Sequence, residues 1–425
     1  MRTLCKRFFN LKRISNIFDK VTEFSNLELA DHNARKNKKH YSDILKHDEH
    51  AEEDLLSLQK DFENLTYKTS EYFVFKIYEP KEREIYKLPY FPDRIAHHAL
   101  MNQLEPIWEK VLIHHSYACR KNKGIHAAAK DLKKTLRKHK DETKYCLKLD
   151  IRKFYPSIDH DILKTIIRYK IKDKKLLATL DEIIDSAEGV PIGNYLSQYL
   201  ANLYLTYFDH WLKEVLKIKY YFRYADDIVI LHKSKKFLHK VLKKIKKYLN
   251  VELKLELKKN YQIFPVESRS IDFVGYRFYH THTLIRKSIK IKMMRLANRL
   301  NKTNRDRDYV RRKVSSYYGW LKHCNAIHFG KKYFYPLSER YQLPKPEIFV
   351  PKQNIISNIL NRSIKYIGYT MYSSYFKLYY VKNLLRYVKT SSNRLFRLLI
   401  KGQYKPGDLL RIKKNKRKYI TYDSR

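Results

Sequence analysis

The sequence predicts an α+β fold in which a small antiparallel sheet carries helices on one face, and three observations predict it. Short apolar strand texts, CLKLDI (146–151), YYFRYADDIVIL (220–231) and IDFVGYRFY (271–279), alternate with segments of helical periodicity. Between the last two, KFLHKVLKKIKKYLN (236–250) sets Phe237, Val241, Ile245 and Tyr248 on one apolar face and covers the rest with lysine. A 425-residue chain that is 44% hydrophobic and 14% aromatic can bury a core, and its length allows about two to four packed units.

The elements follow in order. The first seventy or so residues are charged and helical, with a basic cluster ARKNKKH (34–40) and a periodic run DEHAEEDLLSLQKDFENL (48–65). From Tyr72 the text YFVFKIYEPKEREIYKLPYF turns aromatic and β-branched around EPKE, which reads as two strands joined by a turn. RIAHHALMNQLEPIWEKVL (94–112) returns to helix. After Ile289 the chain is helical again through MMRLANRL and VRRKVSSYYGWLKHCNAI, until the prolines of 335–354 mark a break. The tail, 401–425, carries nine Lys/Arg and two Asp and reads as a solvated or RNA-contacting arm.

Charge names the partner class. With 90 Lys+Arg against 44 Asp+Glu the formal net charge is +46. A lone globule so charged repels itself, and nucleic acid is the polyanion of first choice. Cys5, Cys119, Cys146 and Cys324 are scattered without a CxxC pair, which excludes a zinc finger or disulfide framework and suits a reducing cytosol. No apolar run approaches a membrane span, and the basic start lacks the apolar stretch of a signal peptide.

In so basic a chain the informative residues are acids on apolar strands. Asp150 ends Leu147-Lys148-Leu149, and Asp226-Asp227 interrupts a β-branched run. Aspartate is depleted in strands and adjacent like charges repel, so the doublet is poor strand chemistry. At a hairpin tip it becomes sensible, because acids aimed into a cleft can be neutralised by divalent cations. Two such cations about 4 Å apart stabilise the attacking and leaving oxygens of phosphoryl transfer. Taken singly, the doublet also reads as a surface turn and Asp150 as a helix cap.

The surrounding text carries a family resemblance. Tyr224-Ala225-Asp226-Asp227 resembles catalytic motif C of reverse transcriptases, and Asp150-Ile151-Arg152-Lys153-Phe154-Tyr155 resembles motif A. Gly189-Val190-Pro191-Ile192-Gly193-Asn194-Tyr195-Leu196-Ser197-Gln198 resembles motif B, Leu257-Lys258-Lys259-Asn260 motif D, and Phe273-Val274-Gly275-Tyr276 motif E. All five stand in the family's order. Lys76 to Arg94 resembles the fingers hairpin, and SYACRKNKGIH (116–126) the template-contacting motif after it. Of nine glycines, Gly124, Gly189, Gly193, Gly275 and Gly319 fall in these motifs, where close backbone approach or unusual dihedrals are needed.

The resemblance implies a right-hand polymerase fold: an N-terminal helical extension (1–70), fingers (71–145), palm (146–280), helical thumb (281–334) and a basic C-terminal extension (335–425) that binds RNA. It implies two Mg²⁺ ions, or Mn²⁺, on Asp150, Asp226, Asp227 and the carbonyl of Ile151. Lys76 and Arg83 become triphosphate clamps, with Lys258 or Lys259 assisting the pyrophosphate. Tyr155 becomes the steric gate against a ribose 2′-OH, and Gln198 lies beneath the nascent base pair. Arg120, Lys121 and Lys123 would hold template phosphate, Gly193 and Ser197 template and nucleotide, and Phe273 and Gly275 the primer.

Within the family, FPDRIAHHAL (91–100), SYACRKNKGIH and YYGWLKHCN (317–325) look most like enzymes of diversity-generating retroelements and related bacterial defence reverse transcriptases. Beyond 341 the only acids are Glu347, Asp408 and Asp423, too few for a ribonuclease H site. The aromatic-basic text KYIGYTMYSSYFKLYYVKNLLRYVK reads as a module holding a dedicated RNA, or as an ordinary helix pair. The expectation is a cytoplasmic bacterial enzyme copying its own structured noncoding RNA from dNTPs into a DNA product in antiviral defence. A homo-oligomer or a second defence protein fits as a further partner, and a membrane does not. A mutagenic retroelement enzyme is the alternative, and a non-catalytic RNA-binding protein on a polymerase fold is the alternative of another class.

Overall fold

The computed structural model describes residues 13–38, 40–78 and 82–348. Among these the order begins with helices α1 (Phe18–Thr22), α2 (Phe24–Ala34), α3 (Ser42–Asp48) and α4 (Ala51–Glu63). They join the main body: Leu27, Ala30, Leu58 and Phe62 are buried in the same core as Ala96, Ala99 and Leu100. Asn26 fixes this docking, its amide donating to the carbonyls of Val21 and Ala99 at 2.9 and 3.1 Å.

Strands β1 (Phe73–Ile77) and β2 (Arg83–Lys87) form the expected hairpin, with every residue of β1 exposed. An isolated two-stranded ribbon is marginal in water. This one is tethered at its base by Tyr86 N–H donating to the Ile192 carbonyl (2.8 Å) and by Lys87 pairing with Asp43 (3.2 Å). Helices α5 (Ile95–Glu109) and α6 (Ile125–Lys138) follow.

Next come β3 (Tyr145–Asp150), α7 (His160–Arg168), α8 (Lys174–Asp185), α9 (Tyr195–Tyr204), α10 (Thr206–His210), β4 (Tyr220–Tyr224), β5 (Asp227–His232), α11 (Lys235–Leu253) and β6 (Gln262–Pro265). The four strands make one antiparallel sheet in the order β4-β5-β3-β6. Asp159, Asp173 and Ser234 cap α7, α8 and α11 by accepting a backbone N–H three residues on.

Period-two alternation divides the sheet. Leu147, Leu149, Tyr221, Ile228 and Ile230 pack against the helices, while Cys146, Phe222, Val229 and Leu231 belong to a second core. The expected helices cover one face of the sheet. The opposite face is covered too, by α6 and by a second sheet, because its side chains are also apolar. On α11 the buried stripe is Leu238, Val241, Leu242, Ile245, Tyr248, Leu249 and Leu253, with Phe237 only at its rim.

That second sheet shows another difference from expectation. IDFVGYRFY is a hairpin rather than one strand: β7 (Ile271–Phe273) and β8 (Tyr276–Phe278) turn at Val274-Gly275, whose φ angles are 44° and 83°. Positive φ at both central residues is the primed turn that matches strand twist. Strand β9 (Thr283–Ile285) completes the sheet. Helices α12 (Lys287–Lys302), α13 (Arg307–Leu321), α14 (Ile327–Tyr333) and α15 (Tyr335–Arg340) close the described chain. Leu337 and Tyr341 share a core with Val310, Val314 and Phe334, so the proline-marked break at 335 falls inside this helical unit, because Pro336 sits harmlessly in the first turn of α15. The segment read as an RNA-holding module and the basic tail lie outside the described residues. No helix among the described residues is long and apolar enough to cross a membrane.

Candidate active site

The sheet brings the three aspartates to one end. Asp150, last in β3, stands opposite Asp227, first in β5. Tyr224 and Asp227 pair across β4 and β5, so Ala225-Asp226 is a two-residue turn, entered through Ala225 at φ 51°. A left-handed non-glycine residue costs about 1–3 kcal/mol and persists where surrounding structure imposes it. Asp226 is mostly buried, and burial together with the charge of Asp150 pushes its carboxyl up to about 6.

Two lysines neutralise the other two acids. Lys258 donates to Asp150 Oδ1 at 2.6 Å, and Lys148 forms an ion pair with Asp227. Lys148 lies over the Phe273 ring at 5.1 Å, and burial lowers its ammonium to about 8. Lys258 is carried to the site by a short antiparallel bridge between Ile151 and Leu257. The flanking bonds run from Lys258 N–H to the Asp150 carbonyl and from Arg152 N–H to the Glu256 carbonyl, both 2.8 Å. Ile151 and Leu257 are thus a non-hydrogen-bonded pair, which turns the Ile151 carbonyl away from that strand. Among the described residues no three Asp, Glu, His or Cys side chains already converge as a closed metal cage. The donor set nonetheless fits Mg²⁺, which uses one or two carboxylates and leaves its other positions to water and phosphate. Asp226, crowded against Asp150 and partly desolvated, is the carboxylate that a divalent cation would relieve most.

Tyr155 reaches this place. Its ring is largely buried, with Asp226, Tyr224 and Cys119 near enough to raise its hydroxyl after burial has done so. Its carbonyl accepts from Val190 N–H at 3.0 Å, joining the 150–155 segment to the glycine-rich loop. Gln198 is half-buried on α9. Lys121 is exposed on the 116–126 loop, and Lys123 lies 5.5 Å over the Tyr117 ring. Lys259 is exposed in the turn after Lys258.

Several expected contacts are corrected. Arg120 is not turned to solvent: its guanidinium is held by Glu109 at 2.8 and 3.0 Å and by the carbonyls of Ile113 and Ser116, which take four of its five N–H donors on a side chain only 6% exposed. Ser197 and Phe273 are buried, and nucleic acid cannot touch a side chain that neighbouring protein covers. Gly275 serves packing, since a Cβ there would sit 2.5 Å from the Trp320 ring. Gly193, at φ 135°, admits the fingers-like hairpin, since a Cβ would lie 2.7 Å from the Tyr86 carbonyl oxygen. Lys76 and Arg83 do not share a face. Lys76 is paired across the hairpin with Glu84 and Arg83 with Ile77, so alternation points them oppositely. Lys76 is also engaged by Glu82 at 2.8 Å, which raises its ammonium.

Two bases in the same apolar strands, not expected from the sequence, also belong to this neighbourhood. Lys148 lies two residues before Asp150 and so on its face, and Arg223 interrupts Tyr220–Tyr224. Both are marked by the same mismatch that marks the aspartates, a charge set in an apolar strand.

Similarity to known proteins now bears on this geometry. Residues 80–278 match the family described as reverse transcriptase (RNA-dependent DNA polymerase). Protein YkfC of Escherichia coli (strain K12) is 24% identical over 270 residues, covering 52% of this chain and 69% of that protein. The retron Ec73 reverse transcriptase of Escherichia coli is 28% identical over 264 residues, covering 57% and 80%. The group II intron-encoded protein LtrA of Lactococcus lactis subsp. cremoris is 28% identical over 144 residues, covering 31% and 23%. An antiparallel sheet with acids at a hairpin tip, inside a matched domain of this kind, has the right-hand polymerase fold, and residues 80–278 form a reverse transcriptase domain, an RNA-directed DNA polymerase similar to the retron enzyme and the group II intron-encoded protein.

Proposed function

We propose that the chain copies a dedicated structured noncoding RNA into DNA, by two-metal nucleotidyl transfer, in bacterial antiviral defence. The observation that carries the reaction is the meeting of Asp150, Asp226 and Asp227 at one end of the sheet. Asp150, Asp226, Asp227 and the Ile151 carbonyl would hold two Mg²⁺ or Mn²⁺ ions. Such ions supply charge neutralisation for the attacking 3′-oxygen and the departing pyrophosphate.

The chain's own residues do the rest. Arg83 binds the triphosphate in preference to Lys76, because Lys76 is already neutralised by Glu82. Tyr155 walls off the space a ribose 2′-OH would need. Gln198 lies beneath the nascent pair. Lys258 holds Asp150 before a cation arrives and is then free to meet the pyrophosphate, with Lys259 beside it. Lys121 and Lys123 hold template phosphates, which positions the strand without reading sequence.

The dedicated RNA is supported by a surplus of +46, far beyond what a short primer–template needs, and by likeness to a retron enzyme. Sequencing the RNA and DNA that co-purify with the protein tests it. One recurrent structured RNA with matching cDNA supports the reading. A variable-repeat pair would instead make this the mutagenic retroelement enzyme, and a random RNA population would contradict both.

A further inference from the structure

The residue before Tyr224 is an arginine without solvent contact. Arg223 lies on the helix-packed face of β4, and its side chain and that of Asp209 on α10 are both 0% exposed. Nη2 donates to Asp209 Oδ2 at 2.6 Å and Nε to Oδ1 at 2.8 Å, and the Tyr221 hydroxyl donates to the same carboxylate. Stability alone does not account for the pair, because a buried ion pair is often matched or bettered by apolar side chains of similar volume. The remaining donor is the informative one. Nη1 donates to the Ala225 carbonyl and to Asn202 Oδ1, each at 3.1 Å.

Ala225 is the left-handed residue of the turn, and its carbonyl belongs to the peptide that leads into Asp226. Fixing that carbonyl fixes the plane of the Ala225–Asp226 peptide and so the direction of the Asp226 side chain. Asn202, on α9, passes the restraint on by donating to the Ala118 carbonyl at 2.8 Å. The backbone of Arg223 is itself bound to this loop, through the His115 carbonyl and the Tyr117 N–H.

We infer that Arg223, locked by Asp209, is a positioning residue that aims the Asp226 carboxylate and couples it to α9 and the 116–126 loop. This rests on reading Asp226 as catalytic. The guanidinium is needed because it can serve a carboxylate and a carbonyl in fixed directions at once, which a lysine cannot.

The test uses the full chain on a primed RNA template with Mg²⁺. It reads kcat, KM for the deoxynucleotide, the Mg²⁺ midpoint, duplex affinity and thermal unfolding. Arg223→Lys keeps the charge pair; Arg223→Met/Asp209→Leu/Tyr221→Phe removes it and its dependent hydroxyl, restoring an apolar interior. Both are expected to hold duplex affinity and KM within about twofold, while kcat falls at least about tenfold and the Mg²⁺ midpoint rises. A folded triple variant with parental kcat and Mg²⁺ midpoint would overturn the inference. So would loss of duplex affinity in step with kcat, or failure of both variants to fold, since either marks a purely structural pair. Asp226→Asn, run alongside, separates the two claims. If it synthesises DNA at the parental rate, the site reading falls; if it is inactive while the Arg223 variants are unimpaired, only the positioning role falls.

Discussion

Asp150 and Asp227 face one another across neighbouring antiparallel strands, and each is met by a lysine, Lys258 and Lys148 respectively. Asp226, between them at the turn, has no such counter-ion and is the acid whose carboxyl is pushed up. The lysines therefore compete with any cation for two acids of the three, and Asp226 is the acid most in need of one.

Competition gives the first expected outcome. Lys258→Met frees Asp150, so Mg²⁺ or Mn²⁺ should raise the unfolding temperature at lower concentration than in the parent. Incorporation should fall about tenfold or more, because the cation near the pyrophosphate is lost. A cation midpoint unchanged by the substitution would show that Lys258 does not compete for the site.

Tyr155→Ala should open the floor beside Asp226 to a 2′-hydroxyl. Relief of a steric clash of about 2–3 kcal/mol corresponds to about 30–150-fold loss of discrimination against ribonucleotides. Single-nucleotide incorporation with matched deoxy- and ribonucleotides measures it. Efficient ribonucleotide use by the parent, unaltered by the substitution, would instead mark an RNA polymerase.

Two glycines should respond in opposite senses. Gly275→Ala puts a Cβ 2.5 Å from the Trp320 ring at a φ of 83°, and strain of this kind costs about 1–3 kcal/mol. Gly319, inside α13, has its nearest neighbour at 3.6 Å, from His126, so Gly319→Ala should stabilise by up to about 1 kcal/mol through helix propensity. Thermal unfolding of the two variants checks both signs.

Acid should weaken the protein through histidine. His97 is fully buried, and burial lowers it from 6.5 to about 3. Between those values the unfolded chain binds a proton that the folded chain refuses, so its contribution is complete above pH 6.5 and is lost as pH falls towards 3. Each pH unit in that window costs about 1.4 kcal/mol for a group so shifted. Replacing it, as His97→Leu, should flatten the fall in unfolding temperature between pH 7 and 5, and an unchanged slope would place the acid sensitivity elsewhere.

The elements most legible in the sequence were those whose period is strong and local: α11, the β1–β2 hairpin, and the strands bearing Asp150 and Asp226-Asp227. Asp150 and the doublet stood out because they contradict their strands. What the text hid was direction. Phe273 and Ser197 carry residue types that suit nucleic acid, yet side-chain alternation and helix phase bury them. Arg120 looked free because Glu109, its partner, lies eleven residues earlier on another element. Lys76 and Arg83 looked like a pair until the register of the hairpin separated their faces. Pro336 read as a boundary, although proline is at home in a first helical turn.

Asp150 and Asp226 are expected to carry metal-dependent DNA synthesis on an RNA template. Deoxynucleotide incorporation on a primed RNA, with Mg²⁺ and with Mn²⁺, measured for the parent, Asp150→Asn and Asp226→Asn beside their RNA affinity, tests it most directly. Each variant should lose at least about a thousandfold in rate, some 4 kcal/mol of transition-state stabilisation, while binding RNA as the parent does. Synthesis at the parental rate by either variant would contradict it.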